Sequence, residues 1–543
     1  MTTQVLLDAG VVTRCRRRVH LDHDPGLADA ELAPPDPAAT QRIADAAAHR
    51  RTVAATIAAL VGDGWITIPE GRTSVREQTT VAAMAAGAAF ISRPVLPHDH
   101  AGGRRGRIDL LVRADDGYLP VLVVRHRVTD PGSGAYTSPL AELLPAAGGV
   151  DPARKARSQP RDQMRLAHAV RMLQAAGHAA DTVFGGVIGM DADVVLWYDL
   201  QAANWPGGRS ALAEYDARFD DRLAVAGAAA RGEQPLAWPS RILECRSCPW
   251  WPRCAAELTA ARDVSLVVRG EDAVALRDAE VGTVDALAAA DPAAAPPEPM
   301  SAGRYGDAIV LAKAWLADLT MVRRVRELRV PRADVEVDVD MESFGDSGAY
   351  LWGCWLSGAA VDEPSGYRAF VTWEPLPTID EGRSFGEFWR WFSGLRARVH
   401  ERGMSFAAYC YNELAENRWL LASVDRFAGQ PLVPSRAEVQ AFIDSPDWVD
   451  LYRLVSEQFL CARGKGLKVV APVSGFRWRD PEAGGENSMR WYRDAVAMDG
   501  GEPDLGQRKR LLEYNEDDVC ATRSLREWMA ERAADEVPFA DDL

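Results

Sequence analysis

No stretch of this 543-residue chain approaches the ~18 uninterrupted apolar residues that a membrane span needs. The Ala-rich run from Val81 to Ile91 is shorter and reads as a core helix. The start of the chain also lacks the order of a signal peptide, since a short apolar stretch precedes its arginines instead of following them. A cytoplasmic location without a membrane partner is therefore expected. Cysteine is scarce, eight in all, and in that compartment disulfides are not expected. A basic excess is missing too, the net charge being −16. Overall charge thus gives no support to nucleic-acid binding, which rests on local patches, and carboxylate metal sites add acids of their own. Arginines do cluster at Arg14 to Arg18, Arg104 to Arg107 and Arg508 to Arg510, although each cluster alone reads equally well as solvated surface.

What is present fits an α/β protein of several domains. Hydrophobic residues make up 47% and charged residues 26%, a globular balance that permits sizeable cores. The length suggests about three domains. Residues 1–262 mix Ala/Arg-rich helical patterns with short strands at Arg107 to Arg113 and Val121 to Val124, an α/β core. Residues 263–330 carry Gly282 before Thr283, which can cap the next helix, so a helix-turn-helix is expected there. A purely structural connector is an equal reading, and a low-complexity linker, Asp291 to Pro299, follows. Residues 331–543 open on the alternating strand Val335 to Glu342, continue through a strand at Phe406 to Tyr411, and close on a helix from Arg508 to about Ala530.

In that first strand, Glu336, Asp338, Asp340 and Glu342 share one face. Such a row of acids repels itself unless solvent or a cation lies against it, and alternation alone favours a half-exposed edge strand. Two further segments change the balance. Asn412 to Glu416 follows the second strand, and Tyr514 and Asp518 stand four apart on the last helix, on one face.

In order, these segments resemble the motifs of the DEDD exonuclease superfamily on the RNase H-like fold. Asp340-Met341-Glu342 matches Asp-x-Glu, Asn412 to Glu416 matches Asn-x-x-x-Asp with Glu for Asp, and Tyr514 to Asp518 matches Tyr-x-x-x-Asp. Val449 to Leu451 and Gly466 to Val470 look like the strand and helix between the last two motifs. The resemblance implies two Mg²⁺ or Mn²⁺ ions held by Asp340, Glu342, Glu416 and Asp518, with Tyr514 orienting the attacking water. Hard divalent ions want such oxygens, and a pair roughly 4 Å apart activates water and stabilises the leaving oxygen of a phosphodiester. Asp517 competes with Asp518 for the ligand role, and Asp450 reads as structural.

Cys245, Cys248 and Cys254 lie within ten residues, and Cys15 stands far upstream. Their spacing asks for a metal, and thiolates serve both zinc and iron–sulfur clusters. Cys354, Cys410, Cys461 and Cys520 read as core thiols. The three-plus-one pattern around an α/β domain resembles the iron–sulfur staple of RecB-like nucleases of the AddB type. That implies a restriction-endonuclease-like domain with a [4Fe–4S] cluster, zinc being the alternative. The RecB-like order continues through His49, Asp109 and Gln163, but Arg125 and Arg127 flank His126 where an acid is expected, and Ala167 replaces a tyrosine. A fixed guanidinium charge opposes a divalent ion, so this nuclease fold is expected to be catalytically dead while retaining backbone binding.

Taken over nearly its full length, the chain resembles bacterial RecB-like nucleases with a C-terminal RNase H-like domain, the middle segment resembling half of a helix-hairpin-helix. The implied activity is metal-dependent, 3′→5′ exonucleolytic hydrolysis of DNA or RNA, in repair or turnover. The competing readings are a non-catalytic nucleic-acid-binding scaffold, and an exonuclease whose N-terminal domain docks a helicase or repair partner. Oligomeric state is not legible.

Overall fold

A computed structural model describes residues 4–34, 37–114, 117–358 and 363–543. The chain divides into two compact units, Met1–Glu257 and Leu258–Leu543. Both are α/β with mixed sheets.

An eight-stranded sheet organises the first unit. Its strands are β1 (Trp65–Thr67), β2 (Phe90–Ser92), β3 (Leu110–Arg113), β4 (Tyr118–Val123), β5 (Ala135–Pro139), β6 (Gly149–Asp151), β7 (Phe184–Ile188) and β8 (Val194–Asp199). In space they run β1-β2-β3-β4-β7-β8-β5-β6. Successive strand residues point to opposite faces, so each strand feeds two cores. Leu111, Leu122, Val187 and Leu196 pack with Met84 of α3 (Thr73–Ala85), Met164 of α4 (Pro160–Ala175) and Phe219 of α5 (Ala211–Ala230). Leu110, Val112, Val121 and Val195 pack with Val53 and Ile57 of α2 (Pro37–Val61). A short α1 (Arg16–His23) precedes this core, and α6 (Trp251–Ala261) follows it.

Two expectations are corrected here. The strand expected over Arg107 to Arg113 breaks at Ile108 and Asp109. Residues 104–107 pair with 95–99 in a separate hairpin, and only Leu110–Arg113 joins the main sheet. The break falls where the Asp109 carboxylate accepts the N–H of Val123 (2.9 Å) while its carbonyl accepts that of Arg93 (2.9 Å). The run Val81 to Ile91 is not one helix either. It stops at Ala85, Gly87 takes a left-handed φ of 73°, and Phe90 and Ile91 enter β2. A glycine just past a helix end tolerates that backbone, and alanine content alone does not reveal it.

The second unit begins with α7 (Glu271–Asp278), α8 (Val284–Ala288) and α9 (Ala302–Leu316). Thr283 caps α8 by accepting the N–H of Ala286 (3.0 Å), the role its place before the helix predicts. A five-stranded sheet follows, built from β9 (Val335–Ser343), β10 (Ala349–Gly358), β11 (Gly366–Val371), β12 (Phe406–Cys410) and β13 (Trp448–Asp450). Its order is β11-β10-β9-β12-β13, with β9, β10 and β11 antiparallel and β9, β12 and β13 parallel. Val335, Val337, Val339 and Met341 face a core filled by Phe385, Phe388 and Phe392 of α10 (Asp380–Glu401) and Trp419 of α11 (Leu414–Arg426). The remaining helices labelled here are α12 (Leu467–Val470), α13 (Gly485–Ala495) and the long α14 (Leu505–Glu531). Because β9 is central rather than an edge, Glu336, Asp338 and Glu342 on its acidic face are buried and Asp340 is half-buried, against the half-exposed edge-strand reading. Among the described residues no helix is long and apolar enough to cross a membrane.

Candidate metal centre

The four acids of β9 meet two different environments. Glu336 and Asp338 lie against Arg526 of α14, which is 0% exposed. Its Nη1 donates to Glu336 (2.5 Å), and its Nε and Nη2 donate to the two Asp338 oxygens (3.0 and 2.8 Å). The guanidinium also sits 4.4 Å from the centre of the Tyr409 ring, whose hydroxyl donates to Glu336 (3.0 Å). A forked donor set suits two carboxylates that have left water. Even so, burial holds Asp338 up at about 6.

Asp340 and Glu342 lie further along the same face and have no such partner. Parallel pairing with β12 ends at Asp338 and Tyr409, so the acids beyond it stand where the sheet opens. Ligands in open α/β sheets collect at such points, beyond the carboxyl ends of strands. The third acid, Asp518, comes from α14. One oxygen from each of Asp340, Glu342 and Asp518 lies within 4.8 Å of the other two. Burial is the main reason that Asp340 and Asp518 sit above the ordinary carboxylate range and Glu342 reaches about 8, with mutual repulsion adding to the rise for Asp340 and Glu342. Among the described residues no Lys, Arg or His nitrogen comes within 4.0 Å of these carboxylates. The donor set is hard, anionic and desolvated, and can coordinate a metal ion.

Neutral donors fix the orientations. Asn515 donates to Asp340 (2.7 Å) and accepts from the Tyr367 hydroxyl (2.7 Å), Ser488 donates to Glu342 (2.9 Å), and Trp478 donates to Asp518 (2.6 Å). Tyr514 stands one turn before Asp518 and receives the Lys468 ammonium at its hydroxyl (3.3 Å). Asp517 is not a rival ligand, because Arg479 holds it through side chain and backbone (2.7 and 2.8 Å). Asp450 caps the helix Leu451–Gln458 and accepts the N–H of Asn412 (2.9 Å), which fixes the turn into α11. That turn needs help, since Asn412 has a left-handed φ of 75°.

Glu416 sits in the first turn of α11, is buried, and is raised by burial to about 8, with Asp450 and Glu342 adding repulsion. It lies outside the 4.8 Å group, yet it repels Asp340, and its Oε2 is buried without a hydrogen-bond partner. Residues 514, 518, 522 and 526 form one four-spaced stripe on α14, a signal that would have found Arg526. Lys468 and Trp478 carry no spacing signal. They reach the site because tertiary packing brings the segments after β13 against α14.

In the first unit Cys15, Cys245, Cys248 and Cys254 line one pocket with Arg17, Arg18, Glu244 and Trp250. Burial raises the Cys245, Cys248 and Cys254 thiols, the last to about 11, and Cys15 repels all three. Glu244 ties the segments together, accepting the Cys15 N–H (2.6 Å) and an Arg18 donor (3.0 Å). Among the described residues the four thiols do not form a group within 4.8 Å. Cys354, Cys410 and Cys461 are buried as expected, and Cys520 is partly so.

Asp109 has a different setting. Arg50 lies 3.7 Å and Arg165 4.0 Å from its oxygens, and Arg125 lies 3.5 Å from Asp45. His49 is placed by the Gly189 carbonyl (3.2 Å), and burial, with Arg125 and Arg50 nearby, lowers its pKa. Gln163 is occupied by the Trp205 indole (2.8 Å), and the buried Nε of Arg127 has no partner. Neither of these last two bonds to Asp109.

No curated protein and no solved structure matches the chain. One family model does, over residues 429–530, and it is described as the RNase H superfamily. The match contains Asp450, Lys468, Tyr514 and Asp518, and stops short of Asp340, Glu342 and Glu416 upstream. Residues 429–530, which supply Asp518 to the carboxylate cluster, thus resemble the RNase H superfamily in sequence.

Proposed function

We propose that the protein is a metal-dependent nuclease, a 3′→5′ exonuclease on DNA or RNA, in which Asp340, Glu342, Glu416 and Asp518 hold two Mg²⁺ or Mn²⁺ ions. The observation that carries this reading is the division of β9. Two of its acids own a buried arginine, whereas the next two, Asp340 half-buried and Glu342 buried, join the buried Glu416 and Asp518 and own no cation among the described residues. Buried charge without a partner is costly, and a divalent ion removes that cost. When bound, such ions activate water and stabilise a leaving oxygen. The unpartnered Glu416 Oε2 is the oxygen available to a second ion. Tyr514 orients the water. Water oxygen then adds to phosphorus, the P–O3′ bond breaks, and the departing 3′ oxygen gains a proton.

The first unit is, in this reading, a RecB-like core that binds nucleic-acid backbone without cutting it, helped by the helix-hairpin-helix-like α7 and α8. Support comes from Asp109, whose neighbours Arg50 and Arg165 stand where a divalent ion would need room. The same observation favours the alternative of a non-catalytic scaffold for that unit alone. The four thiols would hold a [4Fe–4S] cluster. Zinc–sulfur bonds of about 2.3 Å bring thiolates to about 3.8 Å from one another, and these four are not grouped within 4.8 Å. Iron, zinc and sulfide analysis with a visible spectrum after anaerobic purification decides between them.

The enzyme reading is tested with Mn²⁺ on end-labelled single-stranded DNA and RNA, comparing wild type with Asp518→Asn. Cleavage by wild type alone is expected. Activity in neither protein removes the nuclease, and equal activity in both removes this site.

A further inference from the structure

Lys468 acts electrostatically on Asp340, Glu342 and Asp518 and, among the described residues, pairs with none of them. It lies at the start of α12, and its ammonium donates to the Tyr514 hydroxyl (3.3 Å). It is held over two aromatic rings, 4.7 Å from the centre of Tyr514 and 5.8 Å from that of Trp478. An ammonium has three donors, and among the described residues Tyr514 takes one. Among the described residues no carboxylate lies within 4.0 Å of it.

That placement is not the one a structural counter-ion takes. Arg526 shows what such an ion looks like here, fully buried and forked onto two carboxylates. Lys468 is exposed, close enough to favour ionised Asp340, Glu342 and Asp518, yet parked on ring faces that hold a cation without neutralising it. Its remaining donors are free for an anion that arrives from solvent. A phosphodiester needs such a group, because the acids that bind metal otherwise repel its charge.

We propose that Lys468 is a substrate-contacting residue, its ammonium binding the non-bridging oxygens of the phosphate brought to the carboxylates. The inference rests on the nuclease reading for what the phosphate belongs to. It makes Tyr514 and Trp478 the cradle that keeps Lys468 off the metal ligands until substrate enters.

The test reads phosphate contact apart from cleavage. Binding of a fluorescein-labelled oligothymidylate is followed by anisotropy in Ca²⁺ over a range of KCl concentrations, and a gel shows that the strand stays intact. Lys468→Met should bind several-fold more weakly, with the slope of log K against log salt shallower by about 0.7, the loss of one phosphate contact on a single strand. Lys468→Arg should keep the wild-type slope. Lys468→Gln, which retains a donor to Tyr514, should lose it as Met does and stands in if the Met variant does not fold. Equal affinity and slope in wild type and the neutral variants overturns the proposal, even where wild type cuts DNA with Mn²⁺. A Lys468-dependent slope in a wild type that never cuts supports the contact and removes the nuclease. A wild type that neither binds nor cuts overturns both.

Discussion

Asp109, in the break between two strands of the first unit, and Asp340, inside the central strand β9 of the second, are both half-buried acids, and both are raised chiefly by the burial of their carboxyl groups. Their neighbours separate them. Around Asp109 stand Arg50, Arg165 and Arg107, each pulling its pKa down, whereas around Asp340 stand Asp518, Glu342 and Glu416, each pushing it up. A carboxylate set in or beside a sheet is therefore not a metal site by position. What makes one is the sign of the charge that the rest of the fold brings to it.

The largest effect expected from that contrast is on chemistry. Asp340→Asn combined with Asp518→Asn removes two anionic ligands and should lower hydrolysis at least about a thousandfold, the equivalent of several kcal/mol of lost transition-state stabilisation. Mn²⁺ binding, followed by calorimetry, should fall with it. Activity that survives the double variant and then disappears in Asp109→Ala would reverse the comparison and move the nuclease to the first unit.

Next in size is the cation that the second unit does own. Arg526→Met strands Asp338 in the core beneath the candidate metal ligands and leaves Glu336 to Arg332 and Tyr409. Removing one partner of a buried ion pair costs about 3–5 kcal/mol, read as a lower urea midpoint at unchanged slope. A loss below about 1 kcal/mol would mean that water reaches these acids, and the division of β9 would lose its meaning.

The two units should also answer pH with opposite signs. Glu342 and Glu416 are raised to about 8 by burial. Without metal, the folded state holds protons there that the unfolded state has lost, so the stability they give is full below the ordinary glutamate range and fades as pH rises towards about 8. Mn²⁺ should restore it, more strongly at higher pH, because binding displaces those protons. His168 works the other way. Burial lowers it to about 4, with Tyr215 and the Arg105 carbonyl as partners. The unfolded chain then takes up a proton that the folded unit refuses, so stability is present above about 6.5 and is lost on falling towards about 4, on the order of 3 kcal/mol. Hydrogen exchange resolved by segment separates the units, and parallel trends would contradict the assignment of these groups.

How far the sequence carried follows the range of the forces involved. Alternation exposed the acids of β9, and four-residue spacing joined Tyr514 to Asp518, since both are local consequences of backbone geometry. The central position of β9 was not legible, because its second neighbour, β12 at Phe406–Cys410, is distant in sequence and is brought alongside by tertiary packing. Asn515 hid inside a quoted motif, one residue off the face that spacing selects, and reaches Asp340 only because Tyr367 turns its amide. The break at Asp109 was missed for a similar reason. A carboxylate that accepts Val123 N–H across the strand looks, in sequence, like any residue between apolar neighbours.

The smallest effect sharpens the contrast most. Arg165 lies 4.0 Å from Asp109 and Arg50 lies 3.7 Å away, with side chains 39% and 38% exposed, against 0% for Arg526. Pairs that solvent reaches contribute about 0–1 kcal/mol, so Arg50→Met or Arg165→Met should shift the melting temperature of the protein only slightly. Guanidiniums that stabilise so little are not there to hold the first unit together. If they serve backbone binding, the same variants should weaken oligonucleotide binding and make its salt dependence shallower, with cleavage at the second unit retained once substrate is saturating. A large stability loss with unchanged binding would instead make Asp109 an ordinary buried ion pair, and the first unit would have no electrostatic claim on nucleic acid.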